Sequence, residues 1–362
     1  MQIKQNTSLW KLALIRFKKN KLAVFSFWYI VFCGFIAVFA YVIAPDNSPN
    51  AKIQHIEIHT EKPGFKTLLF KDFSRKKENQ SLWRIFLHGN KNFPLEKPIN
   101  DYVIKNDSLF LSLYSKDSSF SKKEVVPLQE GEIKYKITKK TFLLGTDKYG
   151  RDYLSRLIVG ARISFFIGFI AVFISLLIGI TIGAIAGYFG GKIDTFIMWL
   201  INVIWSIPTL LMVIAITLAL GKGFYQVFIA VGLTMWVEVA RVVRGQVISV
   251  KQEQYVEAAK ALGFSDFRIL VKHILPNIMA AIIVISAANF AAAILIESGL
   301  SFLGIGAQPP TPSWGSMIKD HYNYILLGKG YLAIIPGLAI MSLVMAFMLV
   351  GNGLRDALDV KG

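Results

Sequence analysis

Cysteine is nearly absent from this chain of 362 residues. Cys33 is the only one, and it lies inside an apolar run, so the chain can form neither an intrachain disulfide nor a metal site built on several cysteines. Charged residues are also scarce, at 17%, while hydrophobic residues make up 54%. These proportions argue against a soluble enzyme and place the chain among membrane proteins.

The sequence also lacks the short motifs of nucleotide binding and hydrolysis. It contains no G-x-x-x-x-G-K-[ST] phosphate loop, no His-Glu-x-x-His motif and no Gly-x-Ser-x-Gly motif. Three Gly-Lys pairs come nearest to a phosphate loop, but they lack its upstream glycine and its hydroxyl residue: Gly191-Lys192, Gly221-Lys222 and Gly328-Lys329. We therefore predict no catalytic residues, no metal site and no cofactor bound by this chain, which is not itself an ATPase.

Positive charge is in excess, with a formal net charge of +17. On the face of a soluble domain this charge would suggest nucleic-acid binding. Here it lies between long apolar runs, where Lys and Arg face lipid headgroups and set the topology of the chain. The sequence therefore predicts no nucleic-acid partner.

The first apolar run, residues 22–44, follows a basic stretch, as in a secretory signal peptide or a membrane anchor. The run is much longer than the roughly 7–15 apolar residues of a signal peptide. Pro45 also directly follows Ala44, the one small residue at which cleavage could occur. We interpret the run as a retained transmembrane helix.

Long apolar runs are what the sequence has in abundance. A spanning helix needs about 20 apolar residues, because unpaired backbone groups are costly in hydrocarbon. Six runs qualify: 22–44, 163–188, 195–220, 224–240, 278–296 and 331–350. Pro208 and Pro336 lie inside two of them, and we expect kinks there. The sequence thus predicts an all-α integral membrane protein with six transmembrane helices.

Six crossings place both termini on one side, and the basic amino-terminal stretch predicts that this side is the cytoplasm. Residues 1–45 then form the cytoplasmic amino terminus and the first helix, and residues 46–142 an extracytoplasmic insert. Residues 143–362 form a core of five helices with a cytoplasmic loop at 241–277. Period-two alternation at 110–114 and 133–137 predicts strands, so we expect a small β-rich insert; a poorly ordered loop is the alternative.

Three glycines recur at every fourth position of the second span, at Gly179, Gly183 and Gly187. This spacing puts them on one helical face, which would let another helix approach closely. The alternative interpretation is that glycine is simply frequent in membrane helices.

The stretch 253–277 has the local chemistry of helix, turn and helix. Residues 254–262 contain no helix breaker, Gly263 suits the left-handed position after a helix, Ser265 is an N-cap candidate, and Pro276 is expected to end the second helix. The periodicity predicts two apolar faces: Val256, Ala259 and Leu262 on the first helix, and Phe267, Leu270, Val271 and Ile274 on the second. A DNA-binding helix-turn-helix or a buried connector has the same pattern.

A resemblance to a known protein family helps to choose among these interpretations of the stretch 253–277. Glu257-Ala258-Ala259, Gly263 and Leu275-Pro276 resemble the "EAA" loop of inner-membrane subunits of ATP-binding-cassette importers. His273 stands where the family has isoleucine, a form common in its peptide and nickel permease branch. Stretches 144–156, 297–304, 312–315 and 351–359 are similar to the same branch, although Asn352 and Val360 depart from its usual ending. The resemblance is dense over 143–359, loose in the first span and absent from the insert.

The resemblance implies a type I importer-like fold in a bacterial inner membrane that transports peptides or similar small solutes by alternating access. It implies four kinds of partner or ligand outside this chain: a second permease subunit, two ATPase subunits, the ATP and Mg bound by those ATPases, and an extracytoplasmic solute-binding protein. It also assigns ATPase coupling to a set of loop residues: Glu257, Ala258, Ala259, Gly263, Leu275 and Pro276.

Two carboxylates near span ends, Glu238 and Glu297, are candidates to line the solute pathway, although carboxylates at such places are often only solvated. The competing function is an ion-coupled secondary transporter, which would bury ionisable residues at mid-membrane. The second and third spans contain no Asp, Glu, Lys or Arg between 163 and 191 or between 195 and 220. A membrane-embedded hydrolase is the enzyme alternative. Neither alternative explains the loop at 253–277.

Overall fold

The structure is a computed structural model. It describes residues 9–74, 78–105, 108–117, 121–127, 135–221 and 223–358. The chain divides into two compact units. The first comprises the described parts of Met1–Gly34, Ser164–Gln308 and Gly337–Gly362, and the second comprises those of Phe35–Ile163 and Pro309–Pro336. These bounds do not coincide with the predicted segments 1–45, 46–142 and 143–362.

Helices make up most of the described chain. The first three are α1 (Leu9–Lys19), α2 (Lys21–Val38) and α3 (Ala40–Ile43). The insert contains α4 (Leu82–His88) and the strands β1 (Phe65–Asp72), β2 (Leu95–Lys105), β3 (Ser108–Leu113), β4 (Lys123–Pro127) and β5 (Tyr135–Phe142). The remaining helices are α5 (Tyr153–Phe189), α6 (Gly191–Trp205), α7 (Thr209–Leu220), α8 (Phe224–Lys251), α9 (Gln254–Ala261), α10 (Asp266–Ile269), α11 (Leu275–Leu303), α12 (Trp314–His321) and α13 (Tyr331–Leu358).

Five helical segments of the described residues are long and apolar enough to cross a membrane. The helix pair α6 and α7 passes the same test as a sixth, but it is bent by 88° at the break between the two helices. Pro208 lies at this break. Its ring prevents a regular helix from continuing through this position, which explains the break. The predicted kink is thus a sharp bend that divides the third span, whereas α13 continues through Pro336. The all-α class and the six-span count are confirmed when the bent pair is counted once.

The predicted β-rich insert is confirmed. Its five strands form one antiparallel sheet in the order β4-β3-β2-β1-β5. Leu109 and Leu111 alternate with the more exposed Phe110 and pack with Phe70 and Ile99 in the core of the sheet. This is the period-two pattern that a half-buried strand requires. Residues 133 and 134 of the predicted alternation lie outside the described residues.

A buried ion pair fixes the start of β2 in the insert. The Glu96 carboxylate lies 2.6 Å from Lys71 Nζ and 3.4 Å from His55 Nε2, and only 5% of its side chain is exposed. Burial raises the pKa of Glu96, but the hydrogen bonds from His55 and Lys71 and the positive charges of Lys71 and Lys140 outweigh it. The net result is a pKa lowered from 4.5 to about 2. The folded insert therefore favours the ionised carboxylate.

Acid should destabilise the insert through this group. Because the folded pKa is the lower one, the contribution of Glu96 is present above pH 4.5 and is lost as the pH falls towards 2. We expect a loss of about 3 kcal/mol in the free energy of unfolding, measured by hydrogen exchange of the β1 and β2 amides. Glu96→Gln should remove this pH dependence. Glu124→Gln, which breaks the more exposed pair with Lys97, should change stability by less than about 1 kcal/mol.

The motif 144–156 folds around one buried aspartate in the second unit. Asp147 Oδ1 accepts hydrogen bonds from the backbone nitrogens of Tyr149 and Arg151, at 2.8 and 2.9 Å. Its Oδ2 lies 2.5 Å from Arg151 Nε and 3.5 Å from Arg156 Nε. A buried carboxylate is tolerated where such charged and hydrogen-bonding partners surround it. This motif therefore has a structural role where the chain enters α5.

Candidate coupling site and solute cavity

The loop at 253–277, hereafter the EAA loop, has the predicted helix–turn–helix start. Helix α9 ends at a turn in which Gly263 has a φ of 76°, a value that glycine adopts without steric cost. The backbone nitrogen of Phe264 reaches back to the carbonyl of Ala259 at 3.2 Å and closes this turn. Ser265 caps α10 by accepting a hydrogen bond from the backbone nitrogen of Arg268. The turn and the cap are confirmed.

The prediction that Pro276 ends the second helix is wrong. A π-helical turn, Leu270–Ile274, follows α10, and α11 begins at Leu275 with Pro276 in its first turn. Proline fits there because the first backbone nitrogens of a helix have no intrahelical partner. Helix α10, the π-helical turn and α11 thus form one apolar segment, Asp266–Leu303, that is long enough to cross a membrane. The second half of the EAA loop is therefore the beginning of this apolar segment.

The predicted apolar faces are only partly correct. Val256, Ala259 and Ile274 are buried, but Leu262 and Phe267 are 74% and 76% exposed. Val271 is exposed as well, while Ile269, which was not assigned to a face, is fully buried. From Leu270 onwards the π-helical turn changes the periodicity, so the stripe expected for a regular second helix does not form. The tip of the EAA loop therefore presents large apolar side chains outward.

The two alanines of the motif differ in environment. Ala259 is buried in a cluster with Tyr188 of α5 and Val247 of α8, whereas Ala258 is exposed. The burial of Ala259 agrees with its place on the predicted apolar face of the first helix. Glu257 is exposed, and Lys260 lies over the Tyr188 ring, 5.6 Å from its centroid, instead of pairing with Glu257. The outward surface of α9 thus carries Glu257 and Ala258.

The core beneath the EAA loop joins it to three membrane helices. This cluster contains side chains of α5, α8, α9, α10 and α11 together with the π-helical turn. Leu275 packs against it from the start of α11. Close packing of this kind transmits displacement because side chains in a filled core have little free space. A force on the loop would therefore reach α5, α8 and α11.

Tyr188, at the carboxyl end of α5, contacts the EAA loop, which the sequence did not predict. Its hydroxyl donates to Asp266 Oδ1 at 2.6 Å, and its backbone carbonyl accepts from Lys251 Nζ at 2.5 Å. The side chain is 4% exposed. Tyr188 thus connects the second span to the end of α8 and to the start of α10 in the EAA loop. Only its place at the end of an apolar run hinted at this role.

Removing the Tyr188 hydroxyl should loosen this connection without unfolding the chain. A hydrogen bond to a charged group contributes about 1.5–3 kcal/mol. We expect Tyr188→Phe to raise the hydrogen exchange of the backbone amides at 254–266 at least about tenfold, which corresponds to about 1.5 kcal/mol. The control is Tyr29→Phe, which removes the hydroxyl contact with Ser342 at 2.7 Å, remote from the EAA loop in sequence. Equal exchange at 254–266 in both variants would show that the Tyr188 hydroxyl does not hold the EAA loop.

The glycine face of the second span lies against α8, as one of the two interpretations predicted. A Cβ on Gly183 would lie 2.4 Å from the carbonyl oxygen of Ala240, and one on Gly179 would lie 2.5 Å from Val239 Cβ. Gly187 faces Val247 in the same way. Only residues without a side chain permit backbones this close. The three glycines therefore bring α5 and α8 together next to the EAA loop.

The broken span is held to α8 by charge. Arg244 Nε and Nη2 donate to the two carboxylate oxygens of Asp194, at 2.5 and 2.6 Å. Arg241 lies over the ring of Trp205, 3.6 Å from its centroid. Bidentate hydrogen bonds between arginine and a carboxylate fix the relative orientation of the two side chains and are stronger than neutral hydrogen bonds. Helix α6 is thereby fixed to α8 up to the bend.

A cavity of about 210 Å³ lies at this bend. It is lined mainly by apolar side chains, with Thr209, Thr234 and Glu238 as its polar groups: Ile204, Trp205, Ile207, Thr209, Met212, Thr234, Met235, Val237, Glu238, Ala292 and Ile296. An apolar cavity with a few polar groups is typical of small-molecule sites. The structure thus places Glu238, one of the two predicted pathway residues, on a cavity wall.

Glu297 has a different environment. It is fully buried, and its carboxylate accepts hydrogen bonds from Ser164, Ser298 and Ser301 at 3.3, 3.4 and 2.7 Å. It is not among the residues that line the cavity at the bend. Hydroxyl donors on several sides are what an otherwise costly buried carboxylate requires. The structure does not bring Glu238 and Glu297 together.

The helices that are long and apolar enough to cross a membrane define a multi-pass membrane protein. The family model described as "Binding-protein-dependent transport system inner membrane component" matches residues 179–361. The model for "N-terminal TM domain of oligopeptide transport permease C" matches residues 8–57. The chain belongs to the binding-protein-dependent inner-membrane family, and it is a transmembrane permease subunit of an ATP-binding-cassette importer. An ion-coupled secondary transporter is not favoured.

Two curated relatives are similar to this chain over 60% of its length. The dipeptide transport system permease protein DppC of Bacillus subtilis is 46% identical over 60% of this chain and 68% of its own length. The glutathione transport system permease protein GsiD of Escherichia coli O6:K15:H31 is 43% identical over 60% of this chain and 71% of its own length. Among solved structures, the inward-facing MetNI methionine ABC transporter has a TM-score of 0.47 at 16% identity, covering 56% of this chain and 95% of that chain.

Proposed function

We propose that this chain imports peptides or peptide-like solutes as one of two permease subunits in a bacterial inner membrane. ATP and Mg bind to two separate ATPase subunits, and an extracytoplasmic protein delivers the solute. The similarity to permeases for dipeptides and glutathione, at 43–46% identity, supports the solute class. Copurification of these partners from the native membrane tests the composition. A complex without an ATPase would contradict it.

The EAA loop is the ATPase-docking element in this proposal, and its exposed tip carries the argument. Leu262 and Phe267 are large, apolar and about three-quarters exposed. Glu257, Ala258 and Gly263 share the outward surface, while Ala259, Leu275 and Pro276 support it from within or from the start of α11. An apolar centre with a polar rim is typical of protein interfaces. Closure of the ATPases therefore moves α5, α8 and α11 through the core beneath the loop.

Replacing Leu262 with aspartate tests this docking. Burying an unpaired charge in an interface costs several kcal/mol, so Leu262→Asp should reduce ATPase copurification by at least about tenfold. The matched control is Leu326→Asp, at a leucine that is 91% exposed between α12 and α13. It should leave ATPase association unchanged. Full ATPase association of the Leu262→Asp protein would exclude the tip as the docking surface.

The proposed topology puts both termini and the EAA loop in the cytoplasm and the insert outside. The basic amino-terminal stretch supports this orientation. A cysteine at Lys66, an exposed residue of β1, should react with a membrane-impermeant reagent in intact cells when Cys33 is replaced by serine. Protection of this cysteine from the reagent would show that the insert faces the cytoplasm, opposite to the proposed topology.

The solute pathway in this proposal passes Glu238 and the cavity at the bend. The carboxylate supplies a negative charge that suits the amino group of a peptide. Glu297 supports α11 from its buried serine cluster and does not touch the solute. Glu238→Gln should therefore raise the solute concentration needed for half-maximal uptake. An unchanged value would remove Glu238 from the pathway.

A further inference from the structure

Helix α4 of the insert has an unusual surface for a segment between polar loops. Leu82 and Trp83 are 84% and 74% exposed, and Leu87 is exposed as well. At about 100° per residue, these three side chains and Phe86 share one side of the helix, while Arg84 and His88 lie on the other. The helix is thus amphipathic, with an apolar side that the chain itself leaves largely uncovered.

The contacts of α4 place it beside the end of the first span. The Phe86 ring meets the Phe39 ring edge to face, with centroids 5.6 Å apart. Arg162 of α5 donates from Nη1 to the Phe86 carbonyl at 3.3 Å, and its guanidinium lies 5.3 Å from the centre of the Tyr41 ring. Both contacts fall within the second unit. Helix α4 is therefore fixed at the level of residues 39–41.

This position gives α4 a depth in the membrane. Phe39 precedes the end of the apolar run at Ala44 by a few residues, and the helical rise puts it about 8 Å inside that end. Amphipathic helices that lie in the membrane interface bury their apolar side by about 5–10 Å. Phe39 and Val42 near the end of the first span are themselves exposed, and Phe39 contacts Phe86 of α4. Both the depth and these exposed apolar neighbours fit lipid.

We propose that α4 is an interfacial membrane anchor, which inserts Leu82 and Trp83 into the lipid headgroup–acyl boundary and holds the insert against the bilayer. Tryptophan is enriched at this boundary because its ring is apolar while its N–H remains within reach of water. Arg84 and His88, on the opposite side, face the headgroups and water. Such an anchor would depend neither on the identity of the solute nor on the proposed coupling.

Spin labels measure the depth of α4 directly. In a Cys33→Ser background, the full chain is reconstituted into phosphatidylcholine–phosphatidylglycerol nanodiscs and labelled at Leu82→Cys or Trp83→Cys. Val42→Cys provides the lipid reference and Lys66→Cys the aqueous reference, since both side chains are exposed. Collision rates with oxygen and with a nickel chelate then give the depth of each label. Both sides of a nanodisc are accessible, so the result does not depend on topology.

We expect the labels at residues 82 and 83 to lie about 5–10 Å below the lipid phosphates. Adding Trp83→Asp to the Leu82→Cys protein should move its label towards the aqueous reference. Labels as accessible to nickel as that at residue 66 would overturn the proposal. So would labels shielded from both oxygen and nickel, which would mean that protein covers α4. The exposure of both side chains makes these substitutions compatible with folding.

Discussion

Ala258→Trp is expected to abolish ATP-driven uptake while the chain still folds and inserts. Ala258 lies on the outward surface of α9, beside Glu257 and the turn at Gly263. A tryptophan there adds a large side chain to the surface that we propose docks the ATPase, so the two proteins could no longer pack closely. We expect uptake to fall at least tenfold, about 1.4 kcal/mol or more of lost coupling. Vesicles containing all subunits and labelled dipeptide provide the measurement.

The neighbouring alanine is the matched control. Ala259 is 4% exposed and packs against the core beneath the EAA loop. A tryptophan there overpacks this core, at a cost of about 1–3 kcal/mol or more, and should lower the amount of folded protein. Ala258→Trp should instead reach the level of the unmodified chain in the membrane. If the Ala258→Trp protein transports dipeptide at the unmodified rate, the outward surface of α9 is not a docking surface.

Gly183→Ala is expected to disrupt the packing of the second span on α8. The added Cβ would lie 2.4 Å from the Ala240 carbonyl oxygen, and because that atom is backbone it cannot rotate away. The helices must separate, which loosens the neighbouring contacts of Gly179 and Gly187. We expect stability to fall by at least about 2 kcal/mol, within the range for overpacked sites. Thermal unfolding in detergent, followed by size-exclusion chromatography, measures it.

A second glycine separates this packing effect from helix propensity. Gly245 lies in α8, and no atom is within 4 Å of the place where its Cβ would be. Gly245→Ala should be neutral or stabilising by up to about 1 kcal/mol, since alanine favours helix. If both variants unfolded at the same temperature, the close approach of α5 and α8 would have no energetic importance.

The sequence predicted the elements of the EAA loop but not all of its exposed residues. Gly263 and Ser265 act locally, through backbone conformation and a cap, so a local pattern suffices to find them. The exposure of Leu262 and Phe267 depends on which neighbouring helices cover α9 and α10, and periodicity within a short helix does not reveal that. Tyr188 was missed for a related reason. Its partner Asp266 is 78 residues away in the chain, and a bond over that separation depends on the tertiary fold.

The same contrast holds for the spans and the insert. Length and hydropathy locate membrane helices because the bilayer imposes both. Pro208 explains why the helix breaks, but the 88° angle of the bend could not be predicted from the sequence. In the insert, alternation predicted strands near residues 110 and 135. The strand order β4-β3-β2-β1-β5 and the buried Glu96 cluster required the structure, because pairing joins segments that are distant in sequence.

In the function proposed above, this permease moves its solute only when partner ATPases hydrolyse ATP. The most direct test is uptake of labelled dipeptide into proteoliposomes that contain the chain, its sister permease, both ATPases and the binding protein. We expect uptake when ATP and Mg are present in the compartment that the ATPases face, and none with a proton or sodium gradient alone. Uptake driven by an ion gradient in vesicles that lack the ATPases would contradict it.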